Sequence, residues 1–143
     1  MPPSNPPTLA AQLAASRAVV EHIGDELPHG SRCWHEPVLD EGEETVVCRC
    51  CDRTFWNERI RSMGEIKEVC NPNLCASDDA AMPVLRAMLA RETGGLDMLH
   101  ALETVVGTRA YSGHNDIICA LRDMQPHHIV LAAAEVLEGE SDA

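Results

Sequence analysis

Aromatic side chains are nearly absent from this chain: among 143 residues there are one Phe, one Tyr and two Trp. A core assembled on large aromatic rings is excluded, and aliphatic residues and alanine must fill it instead. Three of the four rings, Trp34, Phe55 and Trp56, flank a group of cysteines, which suggests a small second core there. Long apolar runs are missing as well. No stretch approaches the roughly 18 residues of a membrane span. Met1-Pro2-Pro3-Ser4-Asn5-Pro6-Pro7 has neither the basic start nor the apolar run of a secretory leader. A cytoplasmic location is therefore expected, where thiols stay reduced and clustered cysteines hold metal more often than they form disulfides.

Positive charge is also scarce. Lys and Arg total 11 against 23 Asp and Glu, a net charge of −12, and of the cations only Lys67 is a lysine. The chain as a whole repels nucleic acid and anionic membranes. Signatures of catalysis are missing too. There is no His-Glu-x-x-His, and no His-x-Glu paired with Pro-Cys-x-x-Cys. Gly94-Gly95 lacks the Lys-Ser/Thr of a phosphate loop, and Ser112-Gly113-His114 lacks triad spacing. His127-His128 could make a second metal site with His100 or His114, but a histidine pair at a helix start is read as plain surface.

What the chain does have is seven cysteines, six of them between positions 33 and 75. Cys48-Arg49-Cys50-Cys51-Asp52-Arg53-Thr54-Phe55 follows the strand-like run Thr45-Val46-Val47. Two thiolates spaced Cys-x-x-Cys on one tight turn grip a single ion, while backbone N–H groups point at the sulfurs. This stretch resembles the knuckles of zinc ribbons and related fingers, a local motif that implies no particular activity. Glycine often follows the second cysteine of such knuckles; here Asp52 stands in that place. Cys50, in the middle of the turn, is expected to point away.

Zinc takes four donors in a tetrahedron. The spacing of the second pair favours Cys48, Cys51, Cys70 and Cys75, because Cys70 follows Cys51 at close to the ribbon interval. The alternate set is Cys33 or His35 with Cys48, Cys51 and one of Cys70 or Cys75, since the opposite hairpin arm would bring Cys33 or His35 beside the knuckle. The expected cofactor is one structural zinc ion, with an iron–sulfur cluster as the minor alternative. Cys119, beside Ile117 and Ile118, reads as a core thiol.

The remaining pattern is helical. Thr8 can cap a helix to about Leu27, ended by Pro28-His29-Gly30. Residues 31–56 read as a β-hairpin with arms at Cys33-Trp34-His35 and Val46-Val47-Cys48 and a turn at Asp40–Glu44. Phe55–Val69 has weak helical periodicity. Ser77 opens a helix with Pro83 in its first turn, a Leu85/Met88/Leu89 stripe, and an end at Gly94-Gly95. Leu96, Leu99, Leu102 and Val106 form the next stripe, stopped by Gly107. Asn115 or Asp116 opens a third helix with Ile117, Ile118, Leu121 and Met124 inward. Pro126 starts a fourth, closed by Gly139.

The expected fold class is mainly α: a helical bundle with a small inserted zinc-knuckle β-hairpin module. Its parts are a flexible Pro-rich arm (1–7), an N-terminal helix (8–30), a zinc-binding module (31–76), a C-terminal helical bundle (77–138) and a disordered tail (139–143). The expected role is a non-enzymatic binding or adaptor protein with a protein partner, and homo-oligomers are compatible with the exposed parts of the helical stripes. Two alternatives follow from particular residues. Arg49, Arg53, Arg59 and Arg61 cluster on the metal module and suggest a regulator that contacts nucleic acid. A metal-dependent hydrolase is a more distant alternative, because it needs an open coordination position.

Overall fold

The structure is a computed structural model that describes residues 7–28, 30–40, 45–56, 71–91, 94–107 and 120–141. It is mainly helical. Helix α1 spans Leu9–Ile23 and is followed by a 3-10 turn, Gly24–Glu26. Three short strands come next: β1 (Pro37–Asp40), β2 (Thr45–Cys48) and β3 (Thr54–Trp56). Then come α2 (Asp78–Leu89), α3 (Gly94–Val106) and α4 (Pro126–Ser141). Ala120–Asp123 is also helical. The arm at 1–6, the turn at 41–44, residues 57–70 and the expected helix start at Asn115 or Asp116 lie outside the described residues, as do Ile117, Ile118 and Cys119.

Capping chemistry sets the helix starts. The Thr8 hydroxyl accepts from Ala11 N–H at 3.2 Å, and the Ser77 hydroxyl accepts from Ala80 N–H at 3.2 Å. Each satisfies one of the orphan donors of a first turn. Asp78 and Asp79 add negative charge where the helix dipole favours it. Gly107 ends α3 with φ +85° while its N–H donates to the Glu103 carbonyl at 3.0 Å, a left-handed cap that glycine takes without strain.

Helix α4 lies at the centre, packed against α1, α2 and α3. Its buried Ile129, Val130, Ala132, Ala133 and Leu137 meet Val19, Val20 and Ile23 of α1, Val84 and Met88 of α2, and Met98 and Leu102 of α3 in one cluster. Burying each such aliphatic side chain contributes about 1.5–3 kcal/mol. Alanines at 15, 18, 132, 133 and 134 let helix backbones approach closely, which is how a chain short of aromatics still packs.

Several helical expectations are corrected. Pro83 sits in the second turn of α2, not the first, because Ser77 caps the helix and Asp78 begins it. It costs one ladder hydrogen bond there. Gly94-Gly95 opens α3 rather than closing α2. Helix α4 runs through Gly139 to Ser141. Leu89, Leu96 and Leu121 are exposed, while Met98 and Ala120 take the inward positions.

The strands form one antiparallel sheet in the order β1-β2-β3. Val38 faces Val47 across β1–β2, and Val46 faces Phe55 across β2–β3. The hairpin arm therefore begins at Pro37, four residues later than expected, and the third strand, Thr54–Trp56, closes the expected hairpin segment 31–56 at the two residues, Phe55 and Trp56, where helical periodicity was also expected to begin. Arg49 N–H donates to the Glu36 carbonyl at 2.9 Å, which fixes the ladder parity. By that parity the nitrogen of Pro37 falls on the outer edge of β1, where no ladder bond is lost and further pairing is blunted.

Among the contacts that join this sheet region to the helices, two involve close packing. A Cβ on Gly24 would collide with the Ser31 carbonyl, so the chain leaving α1 turns directly against the helix end. Trp34 packs against the helical cluster, so this ring serves the main core rather than a separate one.

Candidate metal centre

Strands β2 and β3 are joined by Arg49-Cys50-Cys51-Asp52-Arg53, and the sheet register makes this turn tight. Cys48 N–H donates to the Arg53 carbonyl at 2.8 Å, and Asp52 N–H donates to the Cys48 carbonyl at 2.9 Å. Cys50 N–H points at the Cys48 sulfur at 3.4 Å. Asp52 adopts φ +60°, the left-handed conformation that glycine usually supplies after the second cysteine of a knuckle. Aspartate is among the few other residues that enter this region at modest cost.

The other half of the site comes from the segment entering β1. The pairing of Pro37 with Cys48, extended by the Glu36–Arg49 bond, carries Cys33 and His35 alongside the knuckle. Cys33 Sγ lies 3.7 Å from Cys48 Sγ, and Cys51 Sγ lies 3.3 Å from His35 Nδ1. One donor atom from each of Cys33, His35, Cys48 and Cys51 falls within 4.8 Å of the others. These four residues lie together and could hold one metal ion. His35 and Cys48 are buried, Cys33 is half-buried and Cys51 is exposed, so the site sits at the surface with its back wall closed. The Asn71 side-chain amide donates to the His35 carbonyl at 2.7 Å and braces the segment that carries the imidazole.

The local electrostatics divide the thiols. Burial opposes ionisation of Cys48, but backbone N–H groups of Cys51 and Cys50 and the His35 side chain outweigh it, drawing the thiol down to about 6. Burial pushes Cys33 up to about 12, reinforced by its contacts with Cys51 and Cys48. Two sulfurs this close cannot both carry charge cheaply, so without metal Cys48 is the thiolate and Cys33 keeps the proton. A cation among them removes that conflict.

The expected ligands separate accordingly. Cys48 and Cys51 are brought together with Cys33 and His35, both members of the alternate set. Cys75 is not in the group. It is buried in the helical cluster, its thiol 3.9 Å from the Gln12 carbonyl of α1, and burial raises it to about 11. Cys70 lies outside the described residues. The reason for the change is visible in the loop before α2. Asn73 donates to Gln12 Oε1 at 2.9 Å, and Leu74 N–H donates to the buried Ser16 hydroxyl at 3.0 Å. These bonds lay residues 73–75 across α1. Of the arginines singled out, Arg49 and Arg53 are exposed at the knuckle, and Arg59 and Arg61 lie outside the described residues. No helix among the described residues is long and apolar enough to cross a membrane.

No protein-family model matches this chain, and no curated protein or solved structure is significantly similar to it.

Proposed function

We propose that this chain is a non-enzymatic binding or adaptor protein, in which one zinc ion held by Cys33, His35, Cys48 and Cys51 keeps a docking surface rigid. The observation that supports this reading is the donor set itself: three thiols and one imidazole within 4.8 Å. Three Cys and one His is a usual complement of structural zinc. With Zn–S near 2.3 Å and Zn–N near 2.0–2.1 Å, tetrahedral edges are about 3.8 Å between sulfurs and about 3.6 Å between sulfur and nitrogen. The separations of 3.7 Å and 3.3 Å lie close to both. Four protein donors leave no position for a reacting water, which favours a structural over a catalytic ion. The charge of −12 favours a protein partner over nucleic acid.

Elemental mass spectrometry on the purified protein tests the reading, together with the absorption spectrum of its cobalt-substituted form. One zinc per chain and a tetrahedral cobalt spectrum with thiolate charge-transfer bands are expected. Iron with sulfide, or no bound metal, would overturn it.

A further inference from the structure

A trough of about 1180 Å³ runs between α1 and the metal module. Leu9, Leu13 and Arg17 recur along one stripe of α1 and form one wall. His35, Glu36, Val38 and Arg49 form the opposite wall, and Trp34 and Pro72 also line the trough. Leu9 and Val38, 63% and 50% exposed, stand on opposite walls and are two of the few large apolar side chains left to solvent among the described residues. Two such residues facing one open channel mark an interaction surface better than isolated exposed leucines do. The volume exceeds the roughly 300–1,000 Å³ of small-molecule pockets.

The charge of the lining runs against that of the chain. Acidic residues outnumber basic ones 23 to 11 overall, yet among the described residues the trough carries Arg17 and Arg49 against the carboxylate of Glu36. Arg17 is held by Glu21 at 2.9 Å, but both side chains are about half exposed, and such a pair exchanges readily. Arg49 is exposed and pairs with no carboxylate among the described residues. A cation on each side of a lining that includes Leu9, Leu13, Trp34, Val38 and Pro72 is complementary to an apolar segment that carries carboxylates.

We propose that this trough docks a short acidic, apolar peptide segment of a partner protein. Its leucine- or valine-type side chains seat against Leu9, Leu13 and Val38, and its carboxylate meets Arg49. The inference rests on the adaptor reading above and deepens it, because His35 and Arg49 bind one wall to the metal centre. A nucleic-acid strand is disfavoured by the apolar walls and by the net charge.

A random dodecapeptide display library panned over the zinc-loaded full chain tests this, with the enriched peptides synthesised and titrated calorimetrically. Expected are sequences that combine apolar residues with Asp or Glu, binding in the micromolar range. Arg49→Glu and Leu13→Glu should each weaken binding at least tenfold, with zinc content and helical circular dichroism retained. Leu121→Glu, at an exposed leucine outside the trough, should leave it unchanged. The inference is overturned if no sequence enriches, if enriched peptides ignore both trough substitutions, or if a single-stranded oligonucleotide binds and is lost with Arg49→Glu. A chain that binds zinc but enriches no peptide defeats the trough alone; a chain that binds no zinc defeats the reading beneath it.

Discussion

Cys75 and Cys33 show how little a cysteine's sequence position says about its role. Cys75 sits at a favourable ribbon spacing yet is buried against the Gln12 carbonyl; Cys33 belongs to no Cys-x-x-Cys pair yet lies 3.7 Å from Cys48. Replacement should separate them. Cys33→Ser, His35→Ala and Cys48→Ser should each reduce zinc retention through dialysis to a small fraction. Cys75→Ala should keep full stoichiometry and lose only about 1 kcal/mol of stability, the cost of a small buried deletion. Zinc content after dialysis and a urea melt read both effects. Asp52 gives a second residue-level prediction. Its φ of +60° strains any β-branched side chain. Asp52→Gly should therefore be neutral or stabilise by less than about 1 kcal/mol, whereas Asp52→Val should destabilise by about 2 kcal/mol. Thermal melts of the zinc-loaded proteins distinguish the two.

At the scale of the knuckle and its sheet, the proposed zinc ion would compete with protons for the same sulfurs. Without metal Cys48 is already a thiolate above about pH 6, while Cys33 holds its proton to about 12. Metal must displace at least the Cys33 proton, so zinc affinity should rise by at least about tenfold per pH unit between pH 7 and 9. Competition with a chromophoric chelator across that range measures the slope, and a flat profile contradicts the arrangement. The metal-free protein should show two opposed contributions. The Cys48 contribution is complete above its ordinary value of 9.0 and is lost as pH falls through about 6. The Cys33 contribution is complete below 9.0 and is lost as pH rises through about 12. Much of this element is legible in sequence, since Cys-x-x-Cys after Thr45-Val46-Val47 marks a thiol turn on a strand. The partners are not, because His35 and Cys33 reach the knuckle only through the pairing of Pro37 with Cys48, a register no local pattern specifies. Strand β3 is hidden for a related reason. Its three residues are too few to show a period of two, and the periodicity of the following segment dominates the window. Helix starts are legible where a hydroxyl caps them, as at Thr8 and Ser77. Helix faces are less so, because Leu89, Leu96 and Leu121 fit the stripes but α4 turns other residues inward.

Across the whole molecule, the proposed zinc reading has the two halves stabilised by different physics. Among the residues whose burial is described, the hydrophobic cluster draws on all four helices and on Leu27, Leu74, Cys75 and Ala120. The three strands are three or four residues long, too short to stand alone as a sheet in water. A structural zinc ion contributes on the order of 10 kcal/mol, which is the scale of a whole domain's stability. Removing it should not take both halves down together. Among the described residues, the ties from the metal-binding segment to the helical part are Trp34 against the core, the Ser31 carbonyl against Gly24, an exposed Arg32–Asp25 pair at 3.2 Å, and the bonds of Asn73 and Leu74 to Gln12 and Ser16 of α1, while the Asn71 amide holds the His35 carbonyl at 2.7 Å. The packing of α4 against α1, α2 and α3 is made mainly by aliphatic residues of the helices themselves. Chelation should therefore leave most of the helical circular dichroism intact while the sheet opens. Amide exchange resolves this by residue. In the zinc-loaded protein the Cys48 N–H, bonded to the Arg53 carbonyl at 2.8 Å, should be protected. After chelation that amide and the Arg49 amide should exchange at open-chain rates, while Val19 and Val130 in the helical cluster stay slow. Simultaneous loss of all four would show that the helices depend on the metal, and would contradict this division of stability between aliphatic packing and thiolate coordination.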